Sequence, residues 1–153
     1  MTAAPLLLAV VLALAGARPA EVGVWPVDGT HVVEPFAPPE HDWQAGHRGV
    51  DLAADPGAGV RAMAAGRVAF AGRVAGKPVV SVELADGRRV TYEPVLASVV
   101  VGQRVAAGDV LGVVVGSGGH CGGECLHVGL RTGTGYADPL SLLGRRPAIL
   151  KPL

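Results

Sequence analysis

The sequence has no net charge, few lysines, few cysteines and no long apolar run beyond its first segment. Thirteen basic and thirteen acidic residues cancel, so no global field draws the chain to nucleic acid or to an anionic membrane surface. No nucleic-acid partner is expected. Lysine occurs only at Lys77 and Lys151, and cysteine only at Cys121 and Cys125. Long helix formers are scarce, whereas glycine numbers 23 and proline 12. With abundant valine, this composition favours short strands and tight turns over a helical bundle. At 153 residues, the chain is long enough for one domain with a sizeable core and too short for two.

The one long apolar run, Pro5 to Ala17, is too short to span a bilayer stably. It ends in Ala15-Gly16-Ala17, a small-x-small pattern expected of a signal peptide cleaved after Ala17 or Ala20. Met1-Thr2-Ala3-Ala4 offers only the terminal amine as positive charge, which leaves an uncleaved anchor or a misassigned start as alternatives. Export is the preferred reading, and no membrane span is expected after residue 20. The expected organisation is a signal peptide over 1–20, an N-terminal strand and Pro-rich loop over 21–45, a β domain over 46–143 and a tail over 144–153. In an oxidising compartment a close cysteine pair is more often a disulfide than a metal site or redox couple. Cys121 and Cys125 enclose only Gly122-Gly123-Glu124, whose ends can approach within the roughly 4.4 to 6.8 Å Cα separation of a disulfide.

Past the leader, Val22-Gly23-Val24-Trp25 reads as a short strand stopped by Pro26. Pro35 to Trp43 is a loop whose Phe36 and Trp43 are expected to pin it to the body of the fold. Strands are expected over Gly59–Ala62, Gly66–Gly72 and Pro78–Leu84, with Asp86-Gly87 as a hairpin turn into Arg88–Tyr92. Glycines 102, 108 and 112 punctuate Val99–Gly112, suggesting tight turns between very short strands. Val113–Val115 and Leu126–Leu130 complete the sheet. Asp138 and Pro139 are placed to cap and start one helical turn. The fold class is all-β, a small antiparallel barrel or sandwich.

Imidazole and thiol groups crowd into Gly119-His120-Cys121-Gly122-Gly123-Glu124-Cys125-Leu126-His127. Two imidazoles and a carboxylate, with a fourth position left to water, are the composition of a hydrolytic zinc centre, and Gly46-His47-Arg48-Gly49-Val50-Asp51 supplies the missing groups. On a straight strand His47 and Asp51 would lie roughly 13 Å apart, so a bend at Gly46 and Gly49 is required. Cys125 and His127, two apart on a strand, face the same side. Spacing alone leaves the metal open, because a lone strand histidine is commonly a surface or hydrogen-bonded residue.

Trp25-Pro26, Gly46-His47-Arg48-Gly49-Val50-Asp51-Leu52-Ala53, the Val99–Gly112 repeat and Cys125-Leu126-His127 together resemble the lysostaphin-type zinc endopeptidases. That LytM-like family, built on the duplicated hybrid motif, cleaves peptide cross-links of bacterial peptidoglycan. The resemblance runs from about Trp25 to Leu143. It implies that His47, Asp51 and His127 occupy the three zinc-ligand positions of a metallopeptidase-like domain and that zinc-activated water is the nucleophile. It also implies peptidoglycan peptides as partners and a secreted, extracytoplasmic, cell-wall-associated setting.

Two assisting histidines of the family are replaced. Where the family has Tyr-x-His-Leu this chain has Tyr92-Glu93-Pro94-Val95, and the first histidine of His-x-His is Cys125. General acid–base help is worth about a hundred- to ten-thousand-fold in rate, so an active enzyme would be slow unless another group substitutes. His120 and Glu93 are the candidates, although Glu93 is expected to be a solvated carboxylate turned to the face opposite residue 94. His31 and His41 read as loop histidines. A Cys121–Cys125 bridge would fix the turn presenting His127. Its rival is Cys125 thiolate as a further zinc ligand. The functional alternatives are therefore a peptidase, or a catalytically degenerate protein that binds the cell wall or regulates a hydrolase. A lipoyl-type barrel is disfavoured, because no lysine stands at a hairpin tip within Val101–Gly112.

Overall fold

The computed structural model describes residues 22–29, 31–41, 43–116 and 124–144. The expected signal peptide, nearly all of the tail, and the turn with His120 and Cys121 lie outside the described residues. The strands are β1 (Val32–Glu34), β2 (Gly49–Ala53), β3 (Gly59–Arg61), β4 (Gly66–Val74), β5 (Lys77–Leu84), β6 (Arg89–Glu93), β7 (Val95–Ala97), β8 (Arg104–Val105), β9 (Val110–Val114), β10 (Cys125–Arg131) and β11 (Tyr136–Ala137), followed by a 3-10 turn (Pro139–Leu143). An eight-stranded sheet runs β1-β2-β10-β6-β5-β4-β8, with β11 on β10, and a three-stranded sheet runs β3-β9-β7. Every pairing is antiparallel. The sheets are open, so the all-β expectation holds without a closed barrel.

Alternation in the strands writes the core. Leu126, Val128 and Leu130 of β10, Val90 and Tyr92 of β6, Val80 and Val82 of β5 and Val50 of β2 are fully buried. They join Val60, Val95, Leu111 and Val114 of the smaller sheet in one cluster. Burying a Val or Leu side chain is worth roughly 1.5–3 kcal/mol. A one-residue slip would turn that whole set to solvent, so the hydrophobic face fixes the register. The same alternation sends Cys125, His127, Gly129 and Arg131 to the other face of β10.

The turns follow local chemistry. Gly87 takes a left-handed φ of 84°, Asp86 Oδ1 accepts from the Arg88 N–H at 3.0 Å, and Leu84 N donates to the Arg88 carbonyl. Gly102 and Gly108, each at φ 90°, give the tight turns expected around β8. The final turn is 3-10, with Asp138 Oδ1 accepting from Leu140 N at 2.9 Å and Pro139 at its start.

Two expectations fail locally. Val22–Trp25 is not a strand, because Gly23 N bonds to the Leu142 carbonyl and Val24 N to the Met63 carbonyl. Its hydrogen bonds are split between two distant segments, and Pro26 has no N–H with which to continue. Trp43 does not pin the Pro-rich loop. It is 83% exposed and stacks on His41 with ring centroids 4.7 Å apart, while a backbone bridge between Ala37 and His47 anchors the loop. The short strands β1, β7 and β11 also had no periodic signal, being two or three residues long.

Candidate metal centre

His127 lies in the middle of β10, and the antiparallel register sets it directly opposite Asp51 on β2. Residues opposite one another on neighbouring strands share a face, so pairing alone brings this imidazole and carboxylate together. His47 arrives differently, from two residues before β2, where the bridge to Ala37 holds it with N···O distances of 2.8 and 3.0 Å. The required bend is present, but neither Gly46 nor Gly49 has a positive φ; both act by allowing close approach. A Cβ on Gly46 would lie 2.6 Å from Pro39 Cδ. One on Gly49 would strike the Val128 carbonyl and come within 2.6 Å of His127 Nε2.

Three potential ligand atoms converge. His47 Nε2 is 3.2 Å from Asp51 Oδ1 and 3.2 Å from His127 Nδ1, and His127 Nδ1 is 2.7 Å from Asp51 Oδ1. Tetrahedral zinc, with N and O ligands at about 2.0–2.2 Å, holds its ligand atoms roughly 3.3–3.6 Å apart, so the triangle needs little expansion. The donor inventory points the same way. His47 Nδ1 is 2.8 Å from the Pro35 carbonyl, which can only accept, so Nδ1 donates and Nε2 turns a lone pair inward. An ionised carboxylate also only accepts. The His47–Asp51 edge therefore needs a positive species between its atoms, either a further proton or a metal ion.

The electrostatics keep that carboxylate charged. Burial pushes the Asp51 carboxyl up, but the His127 hydrogen bond and the charges of His127 and His47 outweigh it and hold the group below the ordinary aspartate value. Asp51 has no exposed side-chain surface, whereas His47 and His127 retain 11% and 15%. The group is closed on the carboxylate side and opens past the imidazoles. His47, Asp51 and His127 thus form a set able to hold a metal ion.

Cys125 shares the face of His127 but sits opposite Ala53, buried to 1% exposure, and is not part of the convergent group. Its expected partner Cys121, and the candidate His120, lie outside the described residues. Glu93 is placed differently from expectation. It stands opposite His127 on β6, so Asp51, His127 and Glu93 form a row across three strands. Rather than being a solvated carboxylate, Glu93 is half-buried and pairs with Lys77 Nζ at 3.4 Å. No sequence spacing announced Lys77, which strand pairing brings from β5. Pro94 is buried where the chain passes from β6 to β7. His31 and His41 are exposed outside the strands, as expected.

Comparison with known proteins agrees with this geometry. The description "Peptidase family M23" matches residues 45–139, a span containing all three convergent residues. The chain is 44% identical over 152 residues to the Mycobacterium tuberculosis protein Rv2891, covering 92% of this chain and 60% of that protein. It therefore spans about 60% of the relative's length. Helicobacter pylori Csd3 superposes with a TM-score of 0.64 at 28% identity, over 83% of this chain and 36% of the other. A chain of the SpoIIIAH–SpoIIQ complex gives a TM-score of 0.66 at 25% identity, over 78% of this chain and 98% of the other. The lysostaphin-type, LytM-like resemblance carried by Trp25-Pro26, Gly46–Ala53, the Val99–Gly112 repeat and Cys125-Leu126-His127 holds, and the chain belongs to peptidase family M23.

Proposed function

We propose that this chain is a zinc metallopeptidase-like protein acting on the cross-link peptides of peptidoglycan, outside the cytoplasm and associated with the cell wall. The observation that carries the reading is the convergence of His47 Nε2, Asp51 Oδ1 and His127 Nδ1 at 2.7–3.2 Å, in a chain of family M23. Zinc at these three atoms would supply Lewis acidity and make water a competent nucleophile near neutral pH. The chain's own residues do the rest. Asp51 stays ionised and closes the buried side, and the Pro35 carbonyl fixes the tautomer of His47. Glu93, held by Lys77 beside His127, presents a carboxylate to whatever lies along the row. A Cys121–Cys125 bridge would brace the turn leading into β10, and the apolar segment over residues 5–17 supports export.

A second reading is a non-hydrolytic protein of the same fold that binds the wall or regulates a separate hydrolase. Pro94, which cannot transfer a proton, and Cys125, at the two assisting positions, favour it, as does the likeness to a chain solved in complex with SpoIIIAH. Digestion of peptidoglycan with and without a chelator, read by the masses of released muropeptides, decides between them. New peptide ends that vanish with the chelator are expected. Their absence with zinc-loaded protein would assign the binding role.

A further inference from the structure

We propose that the pocket between Arg48 and the β10–β11 turn binds a carboxylate of an acidic peptide, at the far end of the sheet face that carries His127. The inference rests on the peptide-directed reading above and names the substrate class. The pocket measures about 420 Å³ and is lined by Arg48, Arg131, Thr132, Thr134, Tyr136 and two glycines. That is within the roughly 300–1,000 Å³ of ordinary ligand sites.

Arg131 is the centre of the argument. Register sets it opposite Arg89 on β6 and opposite Tyr136 on β11. Like charges directly opposite are destabilising, and only one member of this pair is neutralised: Arg89 Nη2 donates to Glu83 Oε2 at 2.9 Å. Among the described residues Arg131 has no ion-pair partner. Arg131 also lines a smaller pocket of about 260 Å³ together with Arg89 and Gly87. Arg48 approaches from the segment that also delivers His47, its Nη2 donating to the Gln44 carbonyl at 3.1 Å. The turn between them is held by Thr132 N donating to the Gly135 carbonyl at 2.8 Å, and the half-exposed ring of Tyr136 supplies an apolar wall.

The chemistry selects the ligand. The Arg131 guanidinium with threonine hydroxyls beside it suits an oxyanion, and the planar fork of arginine matches a carboxylate bidentately. Position makes it a peptide carboxylate. Arg131 is four residues beyond His127 on the same face of β10, roughly 13 Å along the strand, the reach of about four extended residues. A peptide lying past the imidazoles would bring an acidic group there. The chain is neutral overall, so the arginines form a local site and not part of a polyanion-attracting field.

The test uses the full protein stripped of metal with a chelator, so that binding is read apart from hydrolysis. Affinities of the acidic peptide N-acetyl-Ala-Glu-Ala-Ala amide and of its neutral counterpart, N-acetyl-Ala-Gln-Ala-Ala amide, are measured by calorimetry for wild type and Arg131→Gln. The acidic peptide is expected to bind about tenfold or more tightly than the neutral one, with Arg131→Gln removing the difference and inorganic phosphate failing to compete. Equal affinities, no binding, an unchanged preference in Arg131→Gln, or displacement by equimolar phosphate would overturn the proposal. Carboxylate-dependent binding without peptidoglycan digestion would leave this pocket standing while the hydrolytic reading fails, and digestion without it would do the reverse.

Discussion

The β2–β10 crossing and the ends of β6 and β10 treat the same chemistry differently. At the crossing, His47, Asp51 and His127 bring three ligand atoms within 3.2 Å, supported by two glycines and a backbone bridge. At the strand ends, where the family resemblance places assisting imidazoles, stand the buried Pro94 and the nearly inaccessible Cys125. The difference teaches that a set of ligand atoms able to hold a metal and the positions from which protons would be moved are built separately in this fold. The first needs register and close approach, whereas the second needs particular side chains at the margins.

The largest effect expected is loss of the metal. Purified protein should contain about one zinc, and Asp51→Ala or His47→Ala should reduce it to background in elemental analysis. An apo wild type would remove the basis of the comparison. Returning an imidazole at the other region, by Pro94→His, should raise muropeptide release on the order of a hundredfold with zinc content unchanged. No gain would place the protein with the binding reading. Gly49→Ala tests whether close approach is what builds the crossing. The added methyl meets the Val128 carbonyl and the His127 ring, so zinc affinity should fall and stability drop by about 1–3 kcal/mol in denaturant melts. The smallest effect is expected away from both regions. Tyr92 is fully buried on the inner face of β6, and its hydroxyl accepts from the Met63 N–H at 2.8 Å, while burial pushes that hydroxyl well above its usual pKa. Tyr92→Phe should cost about 1–3 kcal/mol by orphaning the Met63 donor, with zinc retained. A concurrent loss of metal would show that the inner face and the site are not independent.

Much of the frame was legible because it is written locally. Asp86-Gly87 names its own turn, Asp138-Pro139 its own cap, and the alternation through Leu126, Val128 and Leu130 its own buried face. What escaped depends on partners distant in sequence. The strands β1, β7 and β11 exist because neighbours supply their hydrogen bonds, while Val22–Trp25 looks like a strand and is not one because its bonds go to two distant segments. Glu93 seemed turned away from its surroundings because its strand partners were unknown; pairing of β6 with β10 puts it beside His127. Trp43, an aromatic expected to pack, stacks on a neighbouring histidine at the surface instead.

By itself, the sequence determined the all-β class, the turns and the identities of the groups available for metal chemistry, since these follow from residue type and short-range periodicity. Tertiary structure decided which groups meet. His47 joins Asp51 through a bridge to Ala37, His127 joins Asp51 through register, and Arg131 faces Arg89 through that same register. The physical reason is that pairing in an antiparallel sheet is fixed by burial of the whole inner face, so the contacts on the outer face are set by a sum over many apolar side chains that no short motif contains.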